Sequence, residues 1–157
     1  MDKYEFSIEL DALPHQLVNL ATDYESLPNY IPDQLKSVKI VEVNNNETIT
    51  DEVMFFTSVF KKKIEQKTLH KKISDNKLYS QIISGPAKGT LINVLYEKNN
   101  SGTRVTVDID LKLSLKFKSI KPLVKKAYRA LLTSILYRMN TSALESNTQI
   151  IKNERNL

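Results

Sequence analysis

The 157-residue chain contains no cysteine, which removes disulfides, thiolate metal sites and cysteine nucleophiles together. Glycine occurs three times, at Gly85, Gly89 and Gly102, where average usage would give about eleven. A glycine-rich phosphate loop therefore has no material to be built from. The two histidines, His15 and His70, stand far apart in sequence, so a histidine-rich metal site is not expected. No run of about twenty apolar residues occurs, and no membrane-spanning helix is expected. The opening MDKYEFSIEL alternates polar and apolar residues and lacks the apolar run of a signal peptide. A cytoplasmic protein is the simplest expectation, and the lack of cysteine fits it. No Ser/His/Asp signature, no carboxylate pair at a telling spacing and no metal-ligand spacing is present. Neither a metal nor another cofactor is expected.

Hydrophobic residues make up 41% and charged residues 26%, the balance of a globular domain with one core. The formal net charge of +5 is unevenly spread. From Leu111 to Leu144 there are eight basic residues and no acidic one, and the remainder holds 15 basic against 18 acidic. The basic character thus belongs to one C-terminal element. Lys118, Lys121, Lys125, Lys126 and Arg129 are candidates for contact with an anionic membrane or RNA. A solvated helix face is the ordinary reading of such a run.

Tyr4, Phe6, Ile8 and Leu10 alternate with polar residues, which predicts a strand. Pro14, with Asp11 near the entry, opens a short helix carrying Leu17, Val18, Leu20 and Ala21. Pro28 and Pro32 bracket a second, briefer one. From Lys36 to Ser114, β-branched and aromatic runs are separated by the turn compositions NNNE, SDNK, SGPAKG and KNNSG. Strands at this spacing with no intervening helix predict an antiparallel meander. One further turn is needed near Ser58, although no glycine, proline or asparagine marks it. In the last strand Val105, Val107, Ile109, Leu111, Leu113 and Leu115 share one face, and Arg104, Asp108 and Asp110 the other. Ser119 and Pro122 then begin a helix that continues to Leu144, about 39 Å at 1.5 Å per residue. The predicted domain spans 1–146, and a polar, frayed tail follows over 147–157.

Strand, two short helices, six strands and one long helix describe an α+β fold: a seven-stranded antiparallel sheet, curled by its own twist, with the helix over its concave face. Such a helix cannot fill the concavity as a flat layer would, so a cavity is expected between them. Its expected lining is Phe55, Ile64, Ile82 and Ile92 with Val94, Ile109 and Leu113 from the sheet. Val124, Tyr128, Leu131 and Ile135 are expected from the helix, with Tyr30 at the rim. Two polar groups are candidates for the interior. His70 shares parity with Ile64, Gln66 and Thr68, so it is an acid–base or ligand-contacting group if that face points inward. Asp51 shares parity with Ile49, Val53 and Phe55. The bland alternatives are a surface histidine among lysines and a solvent-facing aspartate beside Glu52. His15, at a helix start, is expected to be exposed.

Three segments carry a family resemblance. Pro14, Val18, Leu20, Asp23, Tyr24 and Glu25, followed by Tyr30, Pro32 and Val38, form the first. Gly85-Pro86 between two strands is the second, and SGTRVTVDIDLKL the third. In this order they resemble the START / polyketide-cyclase (SRPBCC) superfamily, nearest its coenzyme Q-binding branch, over roughly residues 3–144. The resemblance implies the helix-grip fold and a hydrophobic small-molecule ligand such as a lipid, isoprenoid or quinone; because apolar burial alone supplies the affinity, binding or transport without catalysis is the first expectation. Two other functions stay open: a polyketide cyclase or dehydratase using His70 or Asp51, and a ribosome- or RNA-associated module using the basic helix.

Overall fold

The alternating N-terminal segment forms strand β1 (Lys3–Leu10), with Phe6 and Leu10 buried. In this computed structural model, which describes residues 2–56 and 62–155, helix α1 (Pro14–Ala21) follows, and a 3-10 helix spans Tyr24–Asn29. Pro14 occupies the first turn, where its missing N–H costs nothing, and Gln16 Oε1 accepts the Leu13 N–H at 3.0 Å.

Six further strands form the meander: β2 (Leu35–Asn44), β3 (Glu47–Met54), β4 (Ile64–Ser74), β5 (Lys77–Ser84), β6 (Leu91–Lys98) and β7 (Thr103–Asp110). All pairings are antiparallel, in the order β1-β7-β6-β5-β4-β3-β2. The first strand thus closes against the last, and β2 is left at the far edge. Asn45 takes the left-handed conformation (φ 44°) in the β2–β3 turn, which asparagine tolerates better than most residues. Gly102 is required for another reason. A Cβ there would stand 2.1 Å from the Leu10 carbonyl oxygen, where the end of β1 crosses the β6–β7 turn. The turn expected near Ser58 lies outside the described residues.

Helix α2 (Lys121–Arg155) lies across the concave face. It buries Val124, Tyr128, Leu136, Met139 and Ala143 in one core with Val105, Val107 and Ile109 of β7, and Leu131 in a second with Leu35, Val38 and Met54 of β2 and β3. Three details differ from the sequence reading. Strand β7 ends at Asp110, and although Leu111 and Leu113 stay buried, Leu115 is 84% exposed in a 3-10 turn over Leu115–Ile120. That turn redirects the chain onto the sheet, so α2 begins at Lys121, not Ser119. The helix also continues past residue 146, its 35 residues spanning about 52 Å. No glycine or proline interrupts that extension, and Gln16 Nε2 donates to Asn147 Oδ1 at 2.7 Å, tying it to α1.

Candidate functional site

The strand register decides which residues face the helix. Ile82 pairs with Thr68, Ser80 with His70, and His70 with Thr48. On β3, Thr50 lies opposite Thr68 and Glu52 opposite Gln66. Val107 of β7 pairs with Val94 of β6, and Val94 with Leu78 of β5. Carried across the sheet, this places Thr50, Glu52, Gln66, Thr68, His70 and Ser80 on the same concave face as the apolar core. The face is oily at the β1–β7–β6 side and polar at the β3–β4–β5 side.

The polar residues form one connected cluster. Glu52 Oε1 accepts from Gln66 Nε2 at 2.7 Å and Thr68 Oγ1 at 2.8 Å, and Oε2 accepts from Thr50 Oγ1 at 3.0 Å. Thr50 Oγ1 lies 2.9 Å from His70 Nε2, and His70 Nδ1 lies 2.9 Å from Ser80 Oγ. The direct His70 Nε2 to Glu52 Oε2 distance is 3.7 Å, too long for a good hydrogen bond. Tyr24, from the 3-10 helix after α1, stacks on the imidazole with ring centroids 4.3 Å apart. Burial works to raise the Glu52 pKa, but His70 and the hydrogen bonds from Gln66 and Thr68 outweigh it and hold the carboxyl below its ordinary range. Glu52 is therefore a carboxylate inside the protein. Burial pushes the phenols of Tyr24, Tyr96 and Tyr128 up, so all three stay protonated.

A cavity of about 170 Å³ adjoins this cluster. Its apolar wall comes from Met54, Leu78, Ile82, Ile92, Val94 and Val107 of the sheet and from Leu131, Leu132, Ile135, Leu136 and Met139 of α2. Leu27 closes it from the 3-10 helix, and Tyr24, Tyr96 and Tyr128 join the lining beside Glu52, Gln66, Thr68, His70 and Ser80.

This is the helix-grip fold. The sequence matches no family model and no curated protein, but solved structures resemble it over nearly its whole length. A Thermus thermophilus protein, TTHA0849, superposes with a TM-score of 0.77 at 18% identity, covering 92% of this chain and 98% of its own. The Zhui aromatase/cyclase from a Streptomyces species gives 0.76 at 8% identity, covering 90% and 92%. A START superfamily protein from Mycobacterium smegmatis gives 0.73 at 14%, covering 88% and 97%. At these identities the likeness establishes the fold, shared with START-type proteins, and does not reach the coenzyme Q-binding branch.

Of the residues expected in the cavity, Ile82, Ile92, Val94, Tyr128, Leu131 and Ile135 line it. Ile109 is buried in the core beyond it. Ile64, Leu113 and Val124 surround a separate small void with Phe56. Phe55 is half-buried without lining either, and Met54 takes the place assigned to it. Tyr30 lies outside the cavity, its carbonyl accepting from Arg138. His70 faces inward and is 9% exposed. Asp51 does not: its carboxylate pairs with Lys67 at 2.5 Å on the exposed side of the sheet. The solvent-facing alternative for Asp51 is the one the structure adopts, whereas Phe55, expected inward on the same parity, is turned away because Ile49 and Val53 lie on the outer face of β3. Glu52, Thr50, Ser80 and Tyr24 were missed as site residues. A signal for the β4 half was present: Glu65, Lys67 and Lys71 are all charged on one parity, leaving Gln66, Thr68 and His70 for the interior.

Much of the basic run is engaged within the protein. Lys121 and Lys112 pair with Asp2, the Lys125 ammonium stands 5.5 Å from the centre of the Tyr4 ring, and the Arg129 guanidinium 5.2 Å from that of Phe6. Lys118 and Lys126 are exposed. Among the described residues no group of histidine and carboxylate side chains could hold a metal ion, and no helix is long and apolar enough to cross a membrane.

Proposed function

We propose that the protein binds a hydrophobic small molecule between the sheet and α2, holding it by apolar contact and orienting it by the Glu52–His70 cluster. One observation carries this reading: a cavity walled almost entirely by aliphatic and aromatic side chains, with its polar groups gathered on one side. Such a distribution suits a ligand with an oily body and one polar end. A cavity of about 170 Å³ is on the order of one that accepts a benzene ring. A ring with a short chain, burying about 200 Å² of apolar surface, gains about 5 kcal/mol before association costs. Larger ligands enter by displacing side chains or extending through the mouth.

Conversion of the ligand is the second reading, and the line Ser80–His70–Thr50–Glu52 favours it. An imidazole linked through a hydroxyl to a buried carboxylate is able to move a proton at the cavity wall. The neighbouring aromatase/cyclase keeps this reading in view. Its likeness is one of fold alone.

The experiment is to purify the protein under native conditions, extract it and identify the co-purifying molecule by mass spectrometry. The same molecule is then added back to ligand-stripped protein. A raised Tm supports binding, and recovery of the molecule unchanged separates binding from turnover. No extractable molecule, together with no Tm shift across a broad panel of hydrophobes, refutes the proposal.

A further inference from the structure

The cluster's hydrogen bonds can be counted proton by proton, and the count describes the ligand's polar end. Ionised Glu52 brings no proton and offers about four acceptor positions. Gln66 and Thr68 fill the two on Oε1, and Thr50 fills one on Oε2. His70 Nε2, at 3.7 Å, does not fill the last. Thr50 has a single hydroxyl proton and gives it to Glu52, so its 2.9 Å contact with His70 takes its proton from Nε2–H. His70 Nδ1 lies 2.9 Å from Ser80 Oγ, so both ring nitrogens are engaged within the cluster. The Thr50 proton is directed to Glu52, and the open valence on Glu52 is one acceptor position on a carboxylate that lines the cavity.

We propose that the cavity selects apolar ligands bearing one neutral hydroxyl, such as an alkylphenol, which donates to Oε2 of Glu52, and rejects carboxylates of the same shape. The inference rests on the binding reading above and narrows it to a ligand class. A hydroxyl brings one proton to one open position. An ammonium brings three N–H donors and leaves two without a partner on the carboxylate. A carboxylate ligand places a second negative charge beside a buried anion, in surroundings that screen it poorly. A plain hydrocarbon fills the apolar wall and leaves the acceptor unmet.

The test is isothermal titration calorimetry at pH 7 with 4-butylphenol, butylbenzene and 4-butylbenzoate. The phenol is expected to bind roughly tenfold tighter than the hydrocarbon, as a hydrogen bond to a charged group supports, and the benzoate at least about a hundredfold more weakly than the phenol. In Glu52→Gln, which removes the charge at nearly constant size, the phenol-to-benzoate ratio is expected to fall about tenfold or more. Circular dichroism checks that this variant folds, and if it does not, the wild-type series decides alone. Benzoate binding as tightly as the phenol, or butylbenzene matching it, overturns the selectivity while leaving the binding reading in place. Absence of binding by all three overturns the selectivity, and the binding reading falls with it only when the extraction and the broad hydrophobe panel are negative too.

Discussion

The ring of Tyr24 lies over the imidazole of His70, with centroids 4.3 Å apart and planes within 21° of parallel. One residue comes from the 3-10 helix that closes the groove and the other from the middle of the sheet. The contact therefore joins the closing element to the polar side of the cavity, and it keeps water from one face of the imidazole. Tyr24→Phe retains the ring, and urea denaturation is expected to place it within about 0.5 kcal/mol of the parent. Tyr24→Ala removes both the stack and its apolar burial and is expected to cost about 1–3 kcal/mol. Equal stabilities for the two variants would show that the stack contributes nothing.

Glu52 makes the protein sensitive to acid. Its folded pKa is below the ordinary value of 4.5. The unfolded chain therefore takes up the proton at higher pH than the folded one. The stabilisation is fully present above about 4.5 and disappears as pH falls through the lower folded value. Chemical denaturation between about pH 6 and pH 3 is expected to show a steeper loss of stability below 4.5 in the parent than in Glu52→Gln. Parallel curves would contradict the assignment.

Neighbouring positions on β3 should respond in opposite ways. Thr50→Val keeps the shape of a fully buried residue and removes the hydroxyl shared by Glu52 and His70. The two buried partners lose that bond at an expected cost of about 1–3 kcal/mol. Asp51→Asn breaks only the exposed pair with Lys67, and a change within about 0.5 kcal/mol is expected. A large effect at Asp51 with none at Thr50 would mean that the strand faces the other way.

Filling the cavity should abolish binding without unfolding the protein. Val94 is half-buried and lines the void, whereas Ile49 is half-buried on the outer face of β3. Val94→Phe is expected to eliminate the Tm increase produced by 4-butylphenol, and Ile49→Phe to preserve it. If both variants keep the shift, the ligand sits elsewhere.

The meander, the closing helices and the long C-terminal rod were legible because each rests on a local signal. Polar turn clusters separate most of the strands, and Pro14 opens α1, whereas the second short helix lies over Tyr24–Asn29 with Pro28 inside it and not between Pro28 and Pro32. Strand β7 alternates cleanly because Val105, Val107 and Ile109 fill its inner face. The candidate site was legible only in part. His70 could be placed conditionally, by its parity with Gln66 and Thr68. Glu52 could not, because β3 carries Ile49 and Val53 outward and Thr50 and Glu52 inward, against the usual sense of burial.

Local composition therefore determined the order of elements, the antiparallel sheet and the need for a cover over it. Tertiary structure decided which face of β3 and β4 that cover meets. A strand has two faces, and a shift of one residue in its pairing exchanges them. Where the inner face is built of hydrogen-bonding groups, hydrophobicity cannot report which one is buried. Only the cross-strand register, Glu52 against Gln66 and His70 against Ser80, brings the carboxylate and the imidazole to the same cavity.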